Sequence, residues 1–197
     1  MKRPAAMHEV PLKVPHTDPG ASQQLASRLL LHLLNVPADR RIAVVCIGTD
    51  RSTGDALGPI IGSRLDKLRS SQFELYGTLD EPVHAMNLES TLQDIHRADS
   101  KPFIIGIDAC LGQLSSVGSI QLGSGPVRPG AGVNKDLPPV GDIHMTGIVN
   151  VGGFMEYFVL QNTRLNLVMR MAELMADTLA LAIRDCRPYP MHAATQE

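Results

Sequence analysis

Asp55 and Asp108 are the residues of this chain whose type and setting point to chemistry. Asp55 closes the polar run Gly48-Thr-Asp-Arg-Ser-Thr-Gly-Asp55, and Asp108 follows the apolar run Phe103-Ile-Ile-Gly-Ile107. Two carboxylates held close together cannot both ionise freely, so one keeps a proton near neutral pH. The ionised member activates a water as general base, while the protonated member donates to a scissile carbonyl or a leaving amine. With a divalent ion between them both acids stay ionised, and the metal polarises the carbonyl and acidifies the water. Either route is hydrolysis, and the residues alone leave both open.

The elements around the two acids give them the right address. Ile42-Ala-Val-Val-Cys-Ile47 reads as a buried strand, and Ile60-Ile-Gly-Ser-Arg-Leu-Asp-Lys-Leu68 has apolar residues near helical spacing. Asp55 therefore lies in the link between the carboxyl end of a strand and the next helix, where open α/β sheets place their ligands. That link is a polar dodecapeptide, 48–59, with three glycines, where a connector commonly needs about two to six residues. The competing reading is structural: an aspartate just before a helix is an ordinary N-cap.

The rest of the chain alternates in the same manner. Asp18-Pro19 predicts a helix start, and Leu25, Leu29, Leu30, Leu33 and Leu34 give that helix an apolar face. Phe73-Glu-Leu-Tyr-Gly-Thr78 reads as a strand, Asn87 as the cap of a helix reaching about Ala98, and residues 103–107 as the strand before Asp108. Residues 117–122 fit a strand at the sheet edge, 143–151 a further strand, and 161–184 an amphipathic helix with apolar residues three and four apart. Residues 123–141, rich in glycine and proline, predict a long loop. The expectation is an α/β fold, a three-layer sandwich with a mostly parallel twisted central sheet. The domain spans 18–187, between a flexible arm at 1–17, broken by Pro4, Pro11 and Pro15, and a loose tail at 188–197.

Composition narrows the function classes. The chain has 197 residues, 44% of them hydrophobic, and a net charge of −2, enough for one domain with a full core. No basic stripe or aromatic platform argues for nucleic acid. The longest apolar stretch, within 29–34, is broken by His32 and falls far short of the roughly 20 residues that cross a bilayer. No apolar segment follows the basic start, so no signal peptide is read, and the expected compartment is the cytoplasm. Cys46, Cys110 and Cys186 lack metal or redox spacing. Cys110, two residues past Asp108, is either a buried structural thiol or a nucleophile.

Further polar groups cluster nearby. Asp80, Glu81 and His84 follow the 73–78 strand and read as a substrate-binding rim or as a solvated loop. Arg128 and Lys135 flank the glycines of the long loop and suit an acidic group of a substrate, or else face water. Arg51 either pairs with Asp50 or Asp55 or is solvated.

Asp55-Ala-Leu-Gly-Pro59, Ile107-Asp-Ala109 and Pro129-Gly-Ala-Gly-Val133 occur in the order and spacing of the germination protease of spore formers. With Tyr76-Gly-Thr-Leu-Asp-Glu-Pro-Val-His84 and Gln161-Asn-Thr-Arg164, the chain resembles the YyaC-type sporulation proteins more closely still, from about 42 to 183. Germination protease is similar in fold to the hydrogenase maturation proteases, so the resemblance implies that fold, of the phosphorylase/hydrolase-like kind. It implies a peptidase of sporulation or germination with Asp55 and Asp108 as its essential acids. The hydrogenase relatives add a histidine to hold one divalent metal ion. His144 is the position nearest to it, His84 a second supplier, and germination protease offers no such histidine. The implied partner is a peptide or small spore protein, in the forespore or mother-cell cytoplasm, with the oligomeric state open. The rivals are a non-catalytic sporulation protein that keeps the fold and binds a partner, and a small-molecule amidohydrolase or nucleosidase-like enzyme.

Overall fold

A computed structural model of the chain describes residues 10–68, 70–130 and 137–186. Six strands form one mixed sheet in the order β1-β5-β6-β4-β2-β3. They are β1 (Leu12–Pro15), β2 (Ile42–Cys46), β3 (Glu74–Tyr76), β4 (Phe103–Gly112), β5 (Ser119–Ser124) and β6 (Ile143–Val151). β3, β2, β4 and β6 run parallel, while β5 pairs antiparallel with both β6 and β1. The helices are α1 (Ala21–Leu33), α2 (Leu57–Asp66), α3 (Leu88–Ala98), α4 (Glu156–Gln161) and α5 (Leu165–Cys186).

The strand sequences explain the layers. All five residues of β2 are buried, as are the first six of β4, because central parallel strands are covered on both faces. Alternation then sorts their side chains. Val44, Cys46, Ile105 and Ile107 face a core shared with Leu25 and Leu29 of α1, Ile61 of α2 and Met171, Met175 and Leu179 of α5. Ala43, Val45, Ile47 and Ile104 face a smaller core with Val83, Leu88 and Ile95 of the α3 side and with Val127 and Val140. The three-layer α/β expectation holds.

Several expectations change. The segment read as a flexible arm contains β1, whose Val14 is 2% exposed opposite Ile120 of β5. Edge strands tolerate proline, which is why Pro11 and Pro15 do not exclude it. β5 is consequently interior rather than at the edge. Gly123 and Ser124 belong to β5, so the long connection starts later, and paired backbone bonds of 2.9 Å between Val127 and Val140 close its base. Residues 131–136, with Lys135, the start of the arm and the tail from 187 lie outside the described residues. The helix expected over 161–184 is α5, Leu165–Cys186, and an unexpected short helix, α4, precedes it. In α5 the exposed Leu165 and Met169 lie off the buried stripe.

α2 meets the end of β2 through a glycine. A Cβ on Gly58, in the first turn of α2, would collide with the backbone carbonyl of Ile47. A backbone atom cannot swing aside as a flexible side chain does, so Gly58→Ala must lift α2 off the strand. The expected outcome is a stability loss of roughly 1–3 kcal/mol in denaturant titration, as for other overpacked sites. An unchanged midpoint would show that the contact is not tight.

Candidate active site

The Asp55 turn is fixed at both ends. Ile47 bridges Val83 in parallel fashion, and Gly48 N–H donates to the Val83 carbonyl at 2.8 Å. Gly48 has φ +143°, and a Cβ there would strike the Asp55 carbonyl, so this position needs glycine. Thr49 N–H donates to that carbonyl at 3.2 Å, closing the turn, and Gly54 N–H donates to the Leu160 carbonyl of α4 at 2.9 Å. Asp55 is not the cap of α2: the cap position is Ala56, and no side chain caps this helix.

Asp108 lies inside β4, which runs on to Gly112, and so caps nothing either. It is 7% exposed, and its carboxylate accepts the Ala109 N–H at 2.8 Å. Burial pushes its carboxyl well above the usual carboxylate range, and the charge of Asp55 pushes it further, against the pull of the Ala109 N–H. The two acids thus feel each other across the carboxyl edge of the sheet. One is half-buried on a turn, the other buried with its carboxyl held well above the usual range.

Thr146 stands beside Asp108 in register on β6 and is itself buried. Its hydroxyl acts on the Cys110 thiol. Burial pushes the Cys110 thiol up to about 11, with Thr146 lowering and Asp108 raising it. Such a thiol is neutral at physiological pH, which removes the nucleophile reading of Cys110.

The remaining candidates separate. His144 pairs in register with Gly106, two residues short of Thr146, and its Nδ1 lies 2.9 Å from the Gly125 carbonyl. That carbonyl only accepts, so Nδ1 donates and the ring is held toward the loop. Among the described residues no three of His, Cys, Asp and Glu gather as metal ligands, so Asp55, Asp108 and His144 do not assemble the expected metal centre. The donor set does not fit the metal that the resemblance implied. Asp80, Glu81 and Arg128 are exposed. Glu81 and His84 line a cavity of about 360 Å³ at the carboxyl end of β3, beside the Asp55 turn. A larger cavity, about 660 Å³, lies at the opposite edge, around Arg40, Lys101 and Asp142. There Arg40 is engaged structurally, by Asp142 at 3.0 Å and by the face of Phe103 at 5.3 Å.

Sequence reasoning missed Thr146 and α4. Nothing in the sequence marks Thr146, because its importance comes from register. α4 had a signal: of seven Phe and Tyr residues, three fall at Phe154, Tyr157 and Phe158. All three are exposed, as is Met155, which has a left-handed backbone at φ 51°.

No helix among the described residues is long and apolar enough to cross a membrane. A chain of 57% identity over 171 residues, covering 87% of this chain and 83% of the relative, is the uncharacterized protein YyaC of Bacillus subtilis (strain 168). Among solved structures, the NiFe hydrogenase maturation protease HycI from Thermococcus kodakarensis KOD1 is similar at 19% identity, covering 76% of this chain and 99% of that one, with a TM-score of 0.48. The model of the family described as "Protein of unknown function (DUF1256)" matches residues 13–178, and the chain belongs to that family.

Proposed function

We propose that this protein is a peptidase that hydrolyses a peptide bond with Asp55 as general base and Asp108 as general acid. The observation that carries the reading is the placement of Asp55, on the turn after β2, beside the buried Asp108 of β4, whose carboxyl is raised well above the usual carboxylate range by burial and then by the charge of Asp55. A structural acid gains nothing from such a neighbour, whereas acid–base catalysis needs two carboxyls in opposite protonation states.

In the forward step a water oxygen adds to the scissile carbonyl carbon. Asp55 takes the water proton, and Asp108 passes its own to the carbonyl oxygen. The tetrahedral adduct collapses as Asp55 hands its proton to the leaving nitrogen and Asp108 recovers one from the adduct hydroxyl. Both acids finish as they began. No step runs through a metal, because the residues at the pair do not make a metal's ligand set. The choice of a peptide bond, of a role in sporulation or germination, and of a cytoplasmic peptide or small spore protein as partner rests on the resemblance to germination protease. Arg128 and Lys135 remain candidates for the acidic groups of that partner. A second reading, a binding protein without turnover, is favoured by the exposed aromatics of α4 beside the same turn.

Asp55→Asn and Asp108→Asn should each lower peptide hydrolysis by about 10²–10⁴-fold, the usual weight of one general acid or base. Turnover surviving in both variants would overturn the pair and favour the binding role. Calorimetric titration with zinc, nickel or manganese should show no stoichiometric site that depends on His144, and His144→Ala should keep its activity.

The raised pKa of Asp108 sets a pH dependence of stability. The folded protein holds the proton that the unfolded chain releases near pH 4. Stability is therefore full below that pH and falls as pH rises, by at most about 1.4 kcal/mol per pH unit, until Asp108 ionises in the folded state. Asp108→Asn keeps the bond from Ala109 and cannot ionise. Its melting temperature should exceed that of the parent at neutral pH, with the gap closing near pH 4. A parallel pH profile for the two proteins would show that Asp108 is not held protonated.

A further inference from the structure

The cavity at the carboxyl end of β3 has a chemistry of its own. Its apolar lining includes Tyr76 and Val83, and its polar groups include Glu81 and His84. Leu75 borders it as well, but its side chain alternates to the opposite face of the sheet, toward the large core. No lysine or arginine lines it. Glu74, behind Tyr76, has its charge answered by Arg41 at 2.6 Å and accepts the Tyr76 hydroxyl at 3.1 Å. The Glu81 carboxylate has no ion pair among the described residues.

The wall is also built in advance. Thr78 N–H donates to the Glu81 carbonyl and Glu81 N–H to Thr78 Oγ1, each at 3.0 Å. Asn87 spends its whole amide on this segment: Oδ1 accepts His84 N–H at 2.8 Å and Nδ2 donates to the Pro82 carbonyl at 3.0 Å. His84 Nδ1 accepts Met86 N–H at 3.2 Å, so the neutral ring carries its hydrogen on Nε2, as a donor.

We infer that this cavity is a subsite for a lysine or arginine side chain of a peptide, about three residues from the bond that Asp55 and Asp108 cleave; the inference rests on the peptidase reading above. An aliphatic stem suits Val83 and the Tyr76 ring, while the cationic head meets the Glu81 carboxylate and the ring face. An acidic side chain would meet Glu81 with no cation to answer it. The spacing follows from the sheet. Val83 bridges Ile47, and Ile47 N–H donates to the Ile107 carbonyl of β4 at 2.7 Å. The cavity and Asp108 are thus two strand spacings apart, about 10 Å. An extended chain covers that in about three residues.

The test uses the full chain carrying Asp108→Asn, so that binding is read without turnover. Fluorescein-labelled ten-residue peptides of Ala, Ser and Gly carry Arg, norleucine or Glu at one central position. Fluorescence anisotropy should rank Arg above norleucine above Glu, with at least about tenfold between the ends, the factor of one favourable charge contact. Glu81→Gln should cut the Arg preference several-fold and Glu81→Lys should abolish it, with melting temperatures unchanged because Glu81 is exposed. Equal binding of the three peptides, no binding of the Arg peptide, or a preference indifferent to Glu81 would overturn the subsite. With Asp108 restored, Glu81-dependent binding without cleavage would retire the peptidase reading and leave the subsite standing. Cleavage that ignores Glu81 would do the reverse.

Discussion

The repulsion between Asp55 and Asp108 is a cost that the rest of the fold must carry. Burying one carboxyl raises its pKa, and placing a second nearby raises it again. Such an arrangement persists only where the backbone around it is over-determined. Here the determination is visible in the fully buried β2, in Gly48 against the Asp55 carbonyl and in Gly58 against Ile47. These close approaches fix the turn between β2 and α2, and they leave it no easy way to swing Asp55 away. The large core beneath, shared by α1, α2 and α5, supplies the stability that the acid pair removes.

The two faces of the sheet share this work unequally. One carries three helices and most of the buried apolar side chains. The other has α3 and the paired segments at Val127 and Val140, with a smaller core. Asp108 alternates with Ile107 and so points to the thinner face, as Ile104 does. This division of the core gives the edge that holds Asp108 a rigid floor and a less heavily covered upper side. The turn is joined to the cavity wall through Val83 and to α4 through Leu160, so the cavity and the exposed helix are both tied to the Asp55 turn by backbone hydrogen bonds.

Much of this was legible in the sequence because it depends on local pattern. β2, α3 and β6 follow from apolar runs, periodicity and flanking turn residues, and the placement of Asp55 follows from the polar link after β2. What was not legible depends on distant partners. β1 is four residues flanked by prolines, and only β5, a hundred residues later, makes it a strand. The extension of β4 to Gly112 needs β6 alongside, with a register shift at Cys110 and Leu111. Asn87 does stand at the N-cap of α3, as its sequence position indicates, but its amide bonds back to His84 and Pro82 rather than to the helix, a detail that only the fold of the preceding segment fixes. Thr146 became part of the site only through its register with Asp108.

His144 shows why residue type is a weaker guide than register. It shares a strand with Thr146, and alternation puts both on the face of Asp108. Two residues along a strand is about 6–7 Å, enough to exchange a ligand for a bystander. Its ring is then held by the Gly125 carbonyl, just past the end of β5. Without that histidine the acids have no third donor among the described residues, and their mutual repulsion must be relieved another way. A proton on Asp108, whose carboxyl is raised well above the usual range, would serve where a cation would have served. It neutralises one carboxyl, lets it stay buried, and leaves it able to donate. The state that relieves the electrostatic cost is thus the same state that general acid catalysis requires.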